Sequence, residues 1–396
     1  MIPGPGARPG GSGGDDQRTK AVLAVLLCAF GLFGLFWGTF AVLLADLSGA
    51  LDLSPGPLGV ALFVGAAASI LAMALLGWTS DRLGRRAFLL VSGCVMGLGI
   101  AALAAVGDYR ALLAALVILY AASGLYDVGI NASAVDLERA AGRRVMAVLH
   151  AAFSAGGVAG ALSAGLLLSA GVDYRVVYLA LLPPLGAVIL AVAVEPRFPP
   201  SGGSSGDGAA REAGLYRHLP LILVAVIATL ALLSEGEMEH WSGVYLRNTL
   251  GLSALLGGSG VAVFYGSMAV GRLGAAFVIG RLGNRPTLLV AGLLTAGGMA
   301  LALATREPLL VVAGFLVVGL ALSAVVPIAF SVAGDLAPGR AGGAISVVTT
   351  LGYGGFLLGP VVVGGLAEVL GLRIALGIIA VSGLLISALS LRLKIP

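Results

Sequence analysis

Twelve apolar stretches, each long enough to cross a membrane, follow one another along the chain with short polar breaks between them. A helix of about 20 apolar residues spans a hydrocarbon core of about 30 Å. Only 11% of the residues are charged, against about 25% in soluble domains. Strands of a membrane barrel would alternate apolar and polar residues, and the sequence lacks that alternation. We predict an all-α membrane protein with twelve spans, at about 21–45, 58–79, 87–107, 111–135, 147–171, 176–194, 219–238, 255–279, 287–304, 309–331, 343–366 and 373–391.

The basic residues are distributed unevenly between the two sides of this predicted bundle. Of the 23 Lys and Arg residues, only five fall on one side: Arg110, Arg175, Arg247, Arg306 and Arg373. The positive-inside rule then places both termini in the cytoplasm. We expect a multi-pass protein of the cell membrane. Because topology explains the sequence pI of 9.3, we expect the lipid bilayer as a partner and no nucleic acid.

The chain divides into two similar halves. The polar stretch 195–218 predicts a flexible cytoplasmic linker between a first half, 21–194, and a second half, 219–396. A shift of 199 residues aligns DRLGRR at 81–86 with GRLGNR at 280–285, and it aligns Gly156, Gly160 and Gly165 with Gly355, Gly359 and Gly364. This repeat predicts two pseudo-symmetric six-helix halves, an architecture of transporters that bind substrate between the halves.

The remaining features are compositional. Residues 1–20 are rich in Gly and Pro and are predicted to form a disordered cytoplasmic N-terminus rather than a signal peptide. Cys28 and Cys94 both fall inside apolar runs, so we expect buried free thiols and no disulfide. The sequence carries no nucleophile motif, metal-ligand cluster or phosphate-binding loop. We therefore expect no enzyme activity, no metal and no cofactor.

The segment GWTSDRLGRR at 77–86 resembles the signature loop of the major facilitator superfamily, G-x-x-x-D-R-x-G-R-R, and lies between the second and third spans as it does there. The resemblance covers essentially the whole chain. It implies the major facilitator fold, alternating access, a small-molecule substrate and a latch of the outward-facing state; we also expect a monomer. The expected latch residues are Gly77, Asp81, Arg82, Gly84, Arg85, Arg86, Asp136 and Glu138. The alternative is that these arginines only set topology and bind lipid headgroups.

The fourth span carries a carboxylate within an apolar run. Tyr120, Ser123, Asp127 and Asn131 recur at spacings of three and four, so they share one helix face. An Asp at the centre of a span costs about 2.5–3.5 kcal/mol, and such residues face the bundle interior or a water-filled cavity. We expect no Lys or Arg at the same depth, which favours the protonated form. Asp127 is therefore predicted to couple transport to protons, with substrate hydrogen bonding alone or a structural role as alternatives.

A narrower resemblance begins at the same residues. LYDVGINA at 125–132, E-x-x-x-G-R at 138–143 and VLHAAFS at 148–154 resemble the fucose-permease-like branch of the superfamily, a branch of sugar–proton symporters. The resemblance implies that Asp127 is the protonatable group, that Asn131 is a sugar-binding amide, and that His150 lies at another polar binding position. Tyr120, on the helix face of Asp127, is a further substrate-binding candidate. His150 is alternatively only a residue at the cytoplasmic end of its helix. The first span lacks the acid that this branch carries there, and its Trp37 either stacks on a sugar or fills space.

The seventh span ends in SEGEMEHWSGVYL at 234–246. Three acids in five residues predict the extracellular end of the helix, since they cannot all face lipid. Glu235 and Glu239 share a face, and Glu235, the deepest acid, is the second proton-coupling candidate. Glu239 and Trp241 are substrate-binding candidates, with an aromatic interface belt as the alternative for Trp241. Gly236 predicts a local unwinding.

The direction of transport is addressed by the fifth span. Drug–proton antiporters of the superfamily carry Gly-Pro followed by paired glycines there, whereas this chain has GALSAG at 160–165. GPVVVGG does occur, at 359–365, but on the eleventh span. We therefore expect proton-coupled uptake of a small polar, sugar-like solute. The alternative is a proton-linked efflux antiporter for metabolites or drugs.

Overall fold

The computed structural model describes residues 12–142, 145–195, 215, 218–337 and 340–393. Most of the predicted N-terminal segment and of the predicted linker lies outside these residues. Within them, twelve helices are long and apolar enough to cross a membrane. They are α1 Thr19–Ala50, α2 Pro55–Leu76, α3 Arg85–Ala104, α4 Tyr109–Ala141, α5 Met146–Ser169, α6 Tyr174–Val194, α7 Leu219–Thr249, α8 Ala254–Leu282, α9 Asn284–Ala304, α10 Pro308–Leu336, α11 Gly343–Leu370 and α12 Leu372–Arg392. A short helix, Thr79–Leu83, lies between α2 and α3.

Local sequence signals set where these helices begin and end. Pro55 occupies the first turn of α2, where its missing N–H is not needed. The Asp108 carboxylate caps α4, and the Ser253 hydroxyl caps α8, since each accepts a bond from an N–H that the helix leaves unpaired. Gly142 ends α4 with a φ of 61°, a conformation that glycine adopts without strain.

The two halves repeat the same helix packing. In the first half α1 packs on α5, α2 on α4, and α3 on both α4 and α6; in the second half α7 packs on α11, α8 on α10, and α9 on both α10 and α12. The 199-residue shift relates every one of these pairs to its counterpart. The predicted twelve-helix fold in two pseudo-symmetric halves is confirmed.

Contacts between the halves lie at the end of the bundle opposite the chain termini, here called the far side. Gly59 of α2 packs on Pro360 and Gly364 of α11, and Gly258 of α8 packs on Ala161 and Gly165 of α5. In each case a Cβ on the first glycine would come within 3 Å of the partner backbone, so only glycine permits the approach. The shift of 199 residues relates the two contacts to each other.

Two helix starts are also held across the halves at the far side. The backbone N–H of Gly56 donates to Glu368 Oε2 over 2.8 Å, and the backbone N–H of Leu255 donates to Ser169 Oγ over 3.0 Å. Gly56 and Leu255 correspond under the repeat, as do Ser169 and Glu368. These bonds satisfy backbone N–H groups at the starts of α2 and α8. The far side is therefore closed by a matched pair of contacts.

A third contact at the far side joins α1 to α7. Arg247 pairs with Asp46 through its two terminal nitrogens, Nη1 and Nη2, which donate to the two carboxylate oxygens. Arg247 belongs to a π-helical turn, Tyr245–Thr249, which ends α7. Asp46 thus lies near the far-side end of α1, and α7 runs to Thr249 rather than ending near residue 238.

Two sequence expectations about burial are wrong. The acids of α7 lie near the middle of that helix and not at its extracellular end. They can lie there because all three side chains turn toward other helices and none faces lipid. Cys28 and Cys94 are free thiols, as expected, but both are exposed on the bundle surface. An apolar run does not show which of its positions face lipid.

Candidate functional site

A cavity of about 990 Å³ lies between the two halves. Helices α1, α2, α4 and α5 line it from the first half, and α7, α8, α10 and α11 line it from the second. It extends to Met73 and Ala147, which lie in the last turn of α2 and the first turn of α5. Since both turns are on the side of the chain termini, the cavity opens toward that side and is closed at the far side.

The closed end of the cavity is formed by aromatic side chains and one hydrogen bond between the halves. The Tyr120 hydroxyl of α4 bonds to His240 Nε2 of α7 over 3.1 Å. The Trp37 ring meets Tyr120 edge-on with centroids 5.1 Å apart, and the His240 ring meets Phe356 at 5.6 Å. Trp37 and Tyr120 line the cavity as predicted from the sequence. His240 was not among the predicted site residues.

Asp127 and Asn131 lie in the cavity wall. Asn131 Nδ2 donates to Asp127 Oδ1 over 2.9 Å and to the Asp127 backbone oxygen over 2.9 Å. This follows from the spacing of four residues, which places the amide one helical turn beyond the carboxylate. Among the described residues, no Lys or Arg forms an ion pair with Asp127. Within the described part of the chain, its one side-chain hydrogen bond comes from the neutral Asn131 amide.

A basic residue does lie in the same cavity, contrary to the expectation that none is near. Arg272 of α8 lines the wall and pairs with Glu235 of α7, with Nη2 and Oε1 2.8 Å apart. The uneven distribution of basic residues had placed this arginine on the cytoplasmic side. Arg272 can occupy the span because it faces the open cavity and a carboxylate. The available signal was its position inside the predicted span 255–279.

The polar residues of α7 separate onto two faces. Glu235 and Glu239 line the cavity, and Glu239 lies beside the Tyr265 hydroxyl of α8. Glu237 is turned away from the cavity and is fully buried. Trp241, one turn further along that second face, is also fully buried and lies outside the cavity wall. Trp241 therefore does not line the cavity in this conformation, and its assignment as a substrate-binding residue stays a prediction.

His150 lies in the cavity wall, one turn into α5, with its ring edge-on to Phe30 at 5.4 Å. Both sequence interpretations of this residue describe part of its position, since it is near the termini side and also faces the cavity. Gly236 does not unwind α7, which continues as a helix through it. Its missing side chain makes room for the Phe356 ring, which a Cβ would approach to 3.0 Å.

The signature loop forms a connected set of bonds on the termini side. Arg85 pairs with Asp81 over 2.7 Å and with Asp136 over 2.8 Å, and it donates to Ser80 Oγ over 2.7 Å. Arg85 and Asp136 are 7% and 6% exposed, so the pair is buried. Gly84, with a φ of 79°, supplies the left-handed turn that precedes α3. Arg85 and Asp136, two of the expected latch residues, are thus paired with each other.

The other residues of the predicted latch have different contacts. Arg82 lies over the Trp78 ring at 4.3 Å, and Arg86 donates to the Glu195 backbone oxygen. Glu138 Oε1 accepts from the backbone N–H groups of Val145 and Met146, over 2.6 and 3.0 Å, and so caps α5.

These contacts lie within the first half, and the Arg85–Asp136 pair is intact while the far side is closed. The role of these residues as a latch of the outward-facing state stays a prediction. Gly77 continues the helical backbone beyond α2.

Comparison with known proteins gives a consistent result. The profile of the Major Facilitator Superfamily matches residues 26–290 and 244–396. An uncharacterized MFS-type transporter of Yersinia pestis is 31% identical, over 91% of this chain and 92% of its own length. The membrane protein MosC of Rhizobium meliloti is 29% identical, over 96% of this chain and 92% of its own length.

Solved structures share the fold at low sequence identity. A mutant form of the nucleoside transporter NupG superposes with a TM-score of 0.83 at 14% identity, covering 95% of this chain and all of that one. A bacterial homolog of the human lysosomal transporter Spinster, in an inward-facing and unoccupied conformation, superposes with a TM-score of 0.76 at 16% identity, covering 98% of each chain.

Proposed function

The chain belongs to the major facilitator superfamily, and we propose that it is a proton-coupled symporter that takes up a small polar, sugar-like solute across the cell membrane. The substrate binds in the cavity between the halves, and Asp127 carries the coupled proton. With both termini in the cytoplasm, the conformation described here is the one that opens the binding cavity toward the cytoplasm. Opening of the far side, with closure of the termini side, completes the alternating-access cycle.

The observation that carries this proposal is the position of Asp127. Its carboxylate lies in the wall of the cavity, accepts a hydrogen bond from the neutral Asn131 amide, and has no ion-pair partner among the described residues. A carboxylate in such surroundings can gain a proton, because neither a fixed cation nor full solvation stabilises its charge. Glu235 is a weaker candidate for this role, since it is already paired with Arg272.

A polar solute is favoured by the donors and acceptors that line the cavity. Carboxylates, an amide, an imidazole, hydroxyls and a guanidinium converge on one space, and aromatic rings cover its closed end. Hydroxyl groups of a solute would bond to these polar groups, and an apolar ring face of the solute would pack on the aromatic rings. Asp127, Asn131 and His150, which carry the resemblance to the fucose-permease-like branch, all face this space.

The test requires a substrate first. Purified protein is screened for thermal stabilisation by sugars, polyols and compounds that efflux carriers export, because a ligand that binds the folded state raises its unfolding temperature. Vesicles that contain the protein are then given an imposed pH gradient and the stabilising solute. We expect accumulation of the solute against its own gradient only when the pH gradient is present.

The decisive variant is Asp127→Asn, which keeps the shape of the protonated acid but cannot release a proton. We expect it to lose uphill accumulation and to keep solute-for-solute exchange, since exchange needs no deprotonated empty carrier. Asp52→Asn is the matched control, because Asp52 is exposed on the far side and its φ of 51° suits Asn. Uphill accumulation by Asp127→Asn would disprove the role of this carboxylate. Export driven by the same gradient would replace uptake with the antiporter alternative.

A further inference from the structure

Glu237 is a buried acid that the proposed mechanism does not use. Glu237 is fully buried near the middle of α7 and does not line the cavity. Neither carboxyl oxygen makes a hydrogen bond in the part of the chain that the structure describes. Buried polar groups are nearly always paired, so an unpaired carboxyl requires an explanation.

The site that holds this carboxyl is built from glycine. The α7–α11 interface runs along Gly352, Gly355 and Gly359 of α11, and a Cβ at Gly359 would come within 2.2 Å of Glu237 Oε1. The three nearest atoms to that Cβ all belong to the Glu237 side chain. The missing side chain of Gly359 therefore creates the recess that the carboxyl group occupies.

Among the described residues, no charged group lies at the recess that would stabilise an ionised carboxylate. The indole N–H of Trp241, one turn along α7, lies near the carboxyl, and it makes no hydrogen bond of standard geometry to any described residue either. Gly359 and Pro360 are the α11 residues at this level. An isolated ionised carboxylate in such a place is strongly disfavoured relative to the protonated acid.

The titratable and charged groups of the packed helices all lie elsewhere. On α7 itself, Glu235 and Glu239 face the cavity and His240 bonds to Tyr120, while Tyr245 lies two turns further on. The helices packed against α7 carry further titratable and charged groups. Each of these groups is paired with another residue, faces the cavity side, lies more than one turn from the level of Gly359, or lies near a helix end. They are Lys20, Cys28 and Asp46 of α1, Tyr265, Arg272 and Arg281 of α8, Asp335 of α10, Tyr353 and Glu368 of α11, and Arg373 and Arg392 of α12.

The recess lies next to a contact that must break when the far side opens. Gly59 of α2 packs on the backbone oxygen of Pro360, the residue after Gly359, and the α2 N-terminus is held by Glu368 one helix segment further along α11. Withdrawal of α2 would expose the Pro360 backbone, one residue from the recess. Water reaching it would solvate both the Glu237 carboxyl and the Trp241 indole, the two adjacent groups that are unsatisfied now.

We propose that the Glu237–Gly359 recess is a second proton-binding site, occupied while the far side is closed and exchanging its proton with the far side when α2 leaves α11. The proposal rests on the proposed function, because it adds a proton site to the same transport cycle. It differs from the Asp127 site in position and in access: Asp127 faces the cavity, whereas Glu237 lies behind it. Opening of the far side would release one proton from Glu237.

The experiment measures the opening of the far side against pH, without a substrate. Cys28 and Cys94 are replaced by alanine, and spin labels are attached at Ser54→Cys and Arg306→Cys, two exposed far-side positions on different halves. Distances between the labels are recorded from acid to alkaline pH in the full chain. If one proton is released on opening, the ratio of open to closed forms rises by about tenfold per pH unit through the titration.

Glu237→Gln keeps the shape of the protonated acid and removes the titration. In this variant we expect the ratio of open to closed forms to depend on pH with one proton fewer than in the wild type. Glu307→Gln, which changes an exposed far-side carboxylate, should keep the pH dependence of the wild type. If Glu237→Gln has the same curve as the wild type, Glu237 is a structural acid and the proposal is wrong. The vesicle assay separates the two proposals: loss of accumulation in Asp127→Asn beside an unchanged Glu237→Gln curve refutes only the second site.

A measurement on the wild-type chain covers the case in which Glu237→Gln does not fold. Dicyclohexylcarbodiimide adds to protonated carboxylic acids in apolar surroundings, and the adduct is located by peptide mass mapping. We expect modification of Glu237 that falls as pH rises. Modification of Asp127 with none at Glu237 at any pH would overturn the proposal.

Discussion

The α1–α5 interface and the α7–α11 interface correspond under the internal repeat, but only the second contains a buried acid. In the first half Gly38 lies on the backbone of Gly157, and a Cβ there would come within 2.0 Å of the Gly157 oxygen. The position that corresponds to Gly38 is Glu237. Two glycines bring the backbones together in one half, whereas in the other a glycine of α11 receives the side chain of an acid.

The same comparison applies to the termini side. In the first half Arg85 and Asp136 form a buried ion pair, while the corresponding residues of the second half are Asn284 and an exposed Asp335. Each half therefore has charged features that its counterpart lacks. The two halves share their backbone packing and differ in where their titratable residues lie.

The largest effect is expected from making the first half resemble the second at the signature loop. Arg85→Asn would leave the Asp136 carboxylate buried without its main partner, which costs about 3–5 kcal/mol. Thermal unfolding in detergent measures the loss. Arg139→Asn is the control, because Arg139 also lies near Asp136 but is 66% exposed, so its removal should cost less than about 1 kcal/mol. Equal losses in both variants would show that burial does not decide the contribution of the pair.

The next effect concerns the glycine contact of the first half. Gly38→Ala would force the backbones of α1 and α5 apart, since the new Cβ would meet the Gly157 backbone rather than a flexible side chain. We expect a loss of about 1–3 kcal/mol, or more where the helices cannot shift. Gly354→Ala on α11, with no atom within 4 Å of its new Cβ, should be close to neutral in the same unfolding assay.

The second half should respond differently at the corresponding interface. Gly359→Ala is expected to destabilise the wild-type chain by about 1–3 kcal/mol, because its Cβ would overlap the Glu237 carboxyl. In a Glu237→Ala background the same substitution should be tolerated. Unfolding of the two single variants and the double variant gives the coupling between the positions, expected at about 0.5–3 kcal/mol. Additive losses would mean that Gly359 serves the backbone contact and not the acid.

The smallest effect is expected at the two helix starts of the far side. Glu368→Ala and Ser169→Ala each remove a cap, which typically costs about 0.5–2 kcal/mol. The loss should be larger for Glu368, because its bond to Gly56 N involves a carboxylate at a helix start. Both should raise the open fraction measured between labels at Ser54→Cys and Arg306→Cys. An equal rise would indicate that the charge adds nothing at this exposed end.

The spans and one polar face of the site could be predicted from the sequence. Apolar run length is set by the thickness of the bilayer, so twelve helices follow from twelve runs. The placement of Asn131 beside Asp127 follows from helical periodicity alone. The position of Arg272 could have been inferred in the same way, because it lies inside an apolar run. Counting it as a loop residue obscured the signal.

The three acids of α7 show where such inference ends. Their spacing predicts that Glu235 and Glu239 share a face and that Glu237 lies on nearly the opposite one, since each residue turns the helix by about 100°. Only tertiary structure decides that the first face meets a cavity and Arg272, whereas the second meets Gly359.

The sequence by itself determined the number of spans, the repeat and the pattern of polar faces, because each of these depends on local length and periodicity. Tertiary structure decided which face is wet, which acid is paired and where the halves touch. Those properties depend on which residues of distant helices meet, as when Gly359, far along the chain from Glu237, leaves room for its carboxyl group. A buried charge is defined by its neighbours, and neighbours on other helices are not specified by local periodicity.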